Sequence, residues 1–507
     1  MPVERRIAVA VVAGLALTLA AGCTPEQQIP VPPPVPQPAT GTPTPTPTQR
    51  PFTMLTSGPI HTADPAVAVS DTDVLIATSV YQRLMRVLPE TGELKPDAAT
   101  DCYFSSPTVY ECSLPEGLTF HNGDPLTSSD VRFSIQRALR LDAPGTAVPL
   151  LDTLTRISTP DELTVRFHLS YADNRFGYAL GTLAASIVDE SVFDPDTAMP
   201  LDSAVLPVGS GPYQLTRIGE AGADFTRFEK YTGPLAGGID TIRLERVADS
   251  PSAEEAIVNG TADLVWRTLD PPAVQRLTDE ITASPSHDTA KGFTFWPMDG
   301  ARVSRLLWSP DSKYRANAVL RSGVARALQQ DRTLASLVPV GVEGHLATFP
   351  VGGSPVLPEI QGSRVKLTLR YDRAAPGHAD LANLLRGRIE ALDRVSVRLV
   401  EDGPADLVLT DAQPWAAVAS GWLQGYVDSP LPGSADKIAE LGRRARTTSG
   451  DPRLVALGEL QKQAAVDLTD LPVSQADGVL ALGKGVTLIG DAFGSGGELG
   501  LWGIRNG

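Results

Sequence analysis

The sequence predicts an α/β protein built in two or three lobes, and three observations carry that prediction. About 455 residues follow a proline-rich N-terminal stretch, more than a single hydrophobic core organises. Within them, Val365–Tyr371 alternates as a strand, and Leu381, Leu384, Leu385, Ile389 and Leu392 make one face of a helix. Val395–Val400 and Asp406–Leu409 then read as two more strands. Residues 114–137 read as the end of a strand, a tight turn at His121-Asn122-Gly123, and a helix whose start is written chemically. Thr127 caps that helix, Asp130 stands three residues on, and Val131, Ile135, Ala138 and Leu139 repeat at helical spacing.

Taken from the N-terminus, Arg5 and Arg6 precede an uncharged run from Ile7 to Ala21, too short for a comfortable transmembrane span, so residues 1–22 read as a signal peptide. The run closes on Ala20-Ala21-Gly22-Cys23, which resembles a bacterial lipobox with Leu19 one place earlier than usual. A lipidated Cys23 would anchor the chain at the cell membrane on its extracytoplasmic face, since two acyl chains hold a protein stably where one does not. Between Thr24 and Arg50 lie ten prolines in 27 residues, ending in Thr-Pro repeats. Residues 23–51 therefore read as a lipid-anchored Pro/Thr-rich linker, extended and semi-rigid, with a reach of up to roughly 80 Å in polyproline II form.

The formal charge is −16; removing residues 1–22 takes away Glu4, Arg5 and Arg6, a net +1, and leaves −17. An acidic chain without basic clusters argues against nucleic acid as a partner. Of the three cysteines, lipidation would use Cys23 and leave Cys102 and Cys112 as a pair. They flank a turn at Ser105-Ser106-Pro107 and face each other across a hairpin, with Phe104 and Tyr110 on the same face, so a disulfide is expected in an oxidising compartment.

Catalytic and cofactor motifs do not assemble. The six histidines are scattered without metal-ligand spacing, so no metal or cofactor is expected. Gly209-Ser210-Gly211 lacks the glycines two residues either side of serine that a nucleophile elbow needs, because Val208 and Pro212 stand there. No phosphate-binding G-x-x-x-x-G-K-[ST] occurs, so any transport role would draw its energy from separate subunits. The expectation is a binding protein, not an enzyme.

The Leu114–Arg137 stretch contains Phe120-His121-x-Gly123-x-Pro125-x-Thr127-x-x-Asp130-Val131, and it is similar to a block of the extracytoplasmic solute-binding proteins of the oligopeptide/dipeptide class (family 5) that feed ABC importers. Further matches follow in order: Asp64-Pro65, Tyr81-Gln82-Arg83-Leu84, Val208-Gly209-Ser210-Gly211-Pro212-Tyr213, Ile239-Asp240-Thr241-Ile242, Asn259 to Leu264, and Val324 to Arg332. The resemblance implies a periplasmic-binding-protein-like fold (class II, cluster C), with two main lobes around a ligand cleft and an extra third lobe. Mapped onto this chain, lobe I takes residues 52–82, 205–290 and 485–507, lobe II 83–204 and lobe III 291–484.

By the same resemblance the ligand is a peptide or other small solute, the partners are ABC permease and ATPase subunits, and a monomer is expected. Ser70 and Asp71 fall at the loop that touches ligand in relatives. Relatives often carry "W-x-x-D-x-x-D-P", whose Asp pairs with a peptide ammonium; this chain has Thr410-Asp411-Ala412-Gln413-Pro414-Trp415, and lacks the helix that usually precedes it. Asp411 is the candidate substitute, with an ordinary exposed loop carboxylate as the alternative. Trp296 and Trp415 are candidates to stack on a ligand, with core burial as the alternative for each. Because of the altered loop, a second expectation stands beside import: a lipoprotein of the same fold acting as regulator or scaffold in cell-envelope biosynthesis without transport.

Overall fold

A ten-stranded mixed sheet forms the spine of the molecule. In spatial order its strands are Val395–Val400, Val365–Arg370, Leu407–Asp411, Thr294–Trp308, Asp470–Leu482, Leu264–Trp266, Phe52–Thr56, Thr241–Arg246, Gly222–Arg227 and Tyr213–Gly219. The computed structural model describes residues 50–88, 91–412, 414–490, 492–494 and 497–507. The expected signal peptide, Cys23 and all but the last two residues of the linker lie outside the described residues. The mixed α/β architecture is the one the sequence predicts.

Central strands of this sheet are covered on both faces, which is why they read as apolar runs: all five residues of Phe52–Thr56 are buried. The first three strands of the order pair in parallel, and the helix His378–Glu390 connects two of them. Leu385, Ile389 and Leu392 bury on that connection as the periodicity predicts, but Leu384 is exposed, because it lies at the margin of the apolar stripe.

Residues 101–169 build a separate four-stranded antiparallel sheet, in the order Asp101–Ser106, Val109–Ser113, Thr164–Leu169, Leu154–Asp161. Cys102 pairs with Cys112 across the first hairpin and the two form a disulfide. The rings of Phe104 and Tyr110 meet edge to face beside it at 4.7 Å. Helix Ser128–Leu141 packs on this sheet; its Thr127 cap and Asp130 form a complete capping box. Val131, Ile135 and Ala138 are buried, while Leu139 reaches the surface.

Buried apolar side chains gather in three large cores. One centres on Leu306, Leu369 and Leu457, one on Met54, Leu244 and Trp502, and one on Phe120, Phe167 and Phe176. The last two are joined by a buried ion pair. Arg137, on helix Ser128–Leu141, meets both oxygens of Asp64 at 2.9 and 2.5 Å, and the same carboxylate accepts the Met199 N–H at 2.8 Å. Both side chains are almost wholly withdrawn from solvent, so every partner counts.

Candidate functional site

Two long strands, Thr294–Trp308 and Asp470–Leu482, run through both halves of the spine sheet. Thr294–Met298 pairs with Gly478–Leu482 in one half, and Arg302–Leu307 pairs with Asp470–Ala476 in the other, with the register broken between Met298 and Arg302. Gly300 occupies that break at φ +60°, where a side chain would collide with Gln475, and its N–H is taken by Asp477 Oδ1 at 2.7 Å. An irregularity of this kind bends a strand and raises its twist. Beside it opens a cavity of about 740 Å³, within the range of small-molecule sites.

One wall of the cavity is built from the start of helix Asp71–Val80 and the turn after strand Leu264–Trp266. Ser70 caps the helix, accepting the Asp73 N–H at 3.1 Å and donating to the Pro59 carbonyl at 3.3 Å. Asp71 follows in the first turn, where the helix dipole favours a carboxylate. Its partner is Arg267, whose guanidinium also lies 5.1 Å from the Trp266 ring centre.

The facing wall carries two more acid–base pairs, whose arginines both lie on strand Thr294–Trp308. Asp411, the last residue of its strand, receives Arg302 at 3.0 and 3.3 Å on one oxygen. Ser304 Oγ at 2.8 Å and His378 Nε2 at 3.1 Å hold the other. Burial pushes the Asp411 carboxyl up, but the His378 hydrogen bond, the Arg302 charge and Ser304 together hold it well below the usual carboxylate range. Arg305 pairs with the buried Asp470 at 3.1 Å and donates to the Trp422 carbonyl at 3.1 Å. Burial raises Asp470 and Arg305 offsets part of the rise.

Of the residues singled out from sequence, Ser70, Asp71 and Asp411 lie on this cavity. Trp415 lines a second cavity of about 500 Å³ and meets Tyr178 edge to face at 6.2 Å. Trp296 lies on neither wall and is 41% exposed. Sequence reasoning passed over Arg267, Arg302, Arg305, His378 and Asp470. Arg302 and Arg305 stand near Ser304 on one strand, but their acids are 109 and 165 residues away, so no local spacing announces the pairs. Among the described residues no group of three or more His, Cys, Asp or Glu is arranged to hold a metal ion.

Away from the cavity, His121 joins two of the motifs that the sequence shows separately. Its Nδ1 accepts the Gly209 N–H at 3.4 Å and its Nε2 meets the Gly211 carbonyl at 3.0 Å, with the Phe228 ring 4.8 Å away. Burial lowers its pKa to about 4, against a smaller upward pull from Gly211. A Cβ on Gly209 or Gly211 would run into the backbone of Val80, which is why that turn is glycine on both sides of Ser210.

A family model described as bacterial extracellular solute-binding proteins, family 5 Middle, matches residues 93–374, more than half of the chain. The chain belongs to that family. Family 5 solute-binding proteins bind their ligands and are not enzymes. The fold of this family 5 protein is similar to that of the ABC transporter-associated periplasmic binding protein DppA from Helicobacter pylori, solved with peptide STSA. Identity is 17% and the TM-score 0.75, over 90% of this chain and 98% of that one. A dipeptide-binding protein from a Pseudoalteromonas species, solved with Met-Leu, is 15% identical with a TM-score of 0.74, over 90% of this chain and 100% of that one.

Among curated proteins, the HTH-type transcriptional regulator SgrR of Salmonella choleraesuis is 29% identical over 296 residues, covering 57% of this chain and 51% of that protein. The chain thus matches about half the length of the curated relatives. Among the described residues, no helix is long and apolar enough to cross a membrane.

Proposed function

We propose that this chain is a lipid-anchored solute-binding protein that captures a peptide or similar small solute in the cleft and delivers it to an ABC importer. The observation that carries the proposal is the 740 Å³ cavity lying beside the break in the two strands that run through both halves of the sheet. A ligand touching both walls stabilises the closed arrangement by its differential affinity for it, and a permease then distinguishes closed from open. Ser70, Asp71, Asp411 and Trp415 are proposed as ligand-facing residues of the two cavities. Asp411 acts there through Arg302, because its carboxylate is already engaged. Family 5 membership and the peptide-bound relatives support this reading.

The lobe division proposed is 52–82, 205–290 and 485–507, then 83–204, then 291–484, supported by the three large cores. Cys23 is proposed as the lipid anchor, residues 1–22 as its signal peptide, and the permease and ATPase as separate subunits. Native mass spectrometry of the purified globular part, followed by identification of what is released on denaturation, tests the binding reading. A small solute is expected; an empty protein that no peptide pool stabilises thermally overturns it. Cys23→Ser is expected to release the chain from the membrane, and retention would sink the anchor.

A second reading draws on the curated relatives described as transcriptional regulators. In it the same fold serves regulation or scaffolding in envelope biosynthesis rather than import. Uptake of the released solute separates the two: deletion of the gene abolishes uptake if the chain serves import and leaves uptake intact if it regulates.

A further inference from the structure

The two cavities of the cleft meet at one ion pair, and that pair is held in an unusual way. Asp71, Trp266 and Arg267 line both the 740 Å³ and the 500 Å³ cavity. Arg267 has φ +45°, a left-handed conformation that residues with side chains adopt at a cost. Its guanidinium gains position by it, reaching Asp71 while stacked against Trp266. The pair is partly exposed, 21% for the Arg267 side chain and 42% for Asp71. Pairs so exposed add little to stability. Strained backbone of this kind concentrates where a side chain has to be aimed for function.

Asp71 is fixed from its own side as the first residue of a helix capped by Ser70. The helix Ala419–Asp428 borders both cavities through Gly421 and Gly425. The two glycines differ. A Cβ on Gly421 would come within 2.2 Å of the Ala416 carbonyl oxygen, so glycine there answers a close backbone approach. A Cβ on Gly425 would meet nothing within 4 Å, so the space beside it is open. The boundary between the cavities is thus lined by the ion pair with Trp266, by Val69 and Pro414, and by the helix surface at Gly421 and Gly425.

We propose that the Asp71–Arg267 pair is the partition that sets how long a solute this cleft accepts. The proposal rests on the solute-binding function above and deepens it. With the pair closed, a bound solute fills the larger cavity and ends at the Arg267 guanidinium. A longer solute reaches the second cavity, toward Trp415, along the open surface at Gly425 once that side chain is displaced from Asp71.

The test measures the affinity of the mature chain for alanine peptides of increasing length, from dialanine to a peptide too long for the larger cavity, with free termini by titration calorimetry, in wild type, Arg267→Gly and Gly425→Leu. Glycine adopts φ +45° freely, and leucine suits a helix interior better than glycine does, so both variants retain the fold. In wild type, affinity is expected to level off once the larger cavity is full. In Arg267→Gly it continues to rise with length, reaching roughly tenfold above wild type for the longest peptide. Gly425→Leu lowers affinity for the longest peptides more than for dialanine. An unchanged length profile in Arg267→Gly, with peptides still bound, overturns the partition and leaves solute capture standing. Failure of every protein to bind any of the peptides overturns the partition together with the peptide reading of the cleft.

Discussion

Asp411 shows how a single carboxylate changes meaning once its neighbours are known. Seen alone in a loop it is a ready acceptor for a ligand ammonium, but Arg302, Ser304 and His378 occupy both its oxygens. Asp411→Asn is therefore expected to destabilise the protein by about 1–3 kcal/mol in urea unfolding, by leaving Arg302 and His378 without their acid. The ratio of affinities for free and N-acetylated peptides should stay at its wild-type value. His121 supplies a pH signature. Its folded pKa of about 4 lies below the ordinary histidine value of 6.5, so the unfolded chain takes up the proton first as pH falls. The stability it contributes is complete above pH 6.5 and is lost as pH falls toward 4. Between pH 7 and pH 5 the loss is about 2 kcal/mol, absent in His121→Asn, and denaturant midpoints at the two pH values measure it.

The capped helix Ser128–Leu141 is the element the sequence described best, because capping chemistry and periodicity are local. Thr127→Ala should cost about 1 kcal/mol, read as a lowered melting temperature, since the Ser129 N–H and the Asp130 carboxylate both lose Thr127 Oγ1. The same locality made the Cys102–Cys112 hairpin legible, as the two residues are 10 apart and opposite in register. Reduction of that bridge is expected to lower stability by about 2–3 kcal/mol by releasing the loop in the unfolded chain. What the helix is for was not legible. Its Arg137 binds Asp64, 73 residues away, and no spacing rule connects them.

Across the whole molecule, the four-stranded part and the C-terminal helices touch through a small polar latch. Arg446 meets Asp152 at 2.6 Å, the Asn174 N–H donates to the Arg446 carbonyl at 2.9 Å, and Arg175 donates to Gln424 at 2.9 Å. These contacts bridge residues more than 240 apart. Arg446→Ala is expected to weaken solute affinity about fivefold, because a partly exposed ion pair contributes about 1 kcal/mol to the closed state. Small-angle scattering of the ligand-free variant should show a larger radius of gyration than wild type. An unchanged radius would mean that the latch does not bias closure.

Much of the architecture was written in the chain itself. Alternation along Val365–Arg370, the helix at His378–Glu390 and the capping box at Thr127 are local patterns, and hydrophobic period and capping chemistry act over a few residues wherever they occur. The likeness of the Leu114–Arg137 block to family 5 was equally present in the sequence and pointed to the family that residues 93–374 match. Ser70, Asp71 and Asp411 of the site were picked out in the sequence, but their partners were decided by tertiary structure. Asp71 and Arg267 are 196 residues apart, Asp411 and Arg302 109, and Asp470 and Arg305 165. Their pairing depends on which strands lie side by side in one sheet, and a carboxylate's availability to a ligand depends on whether a guanidinium has already reached it. That information exists only when the chain is folded, because electrostatic pairing is a property of distance in space rather than of position in sequence.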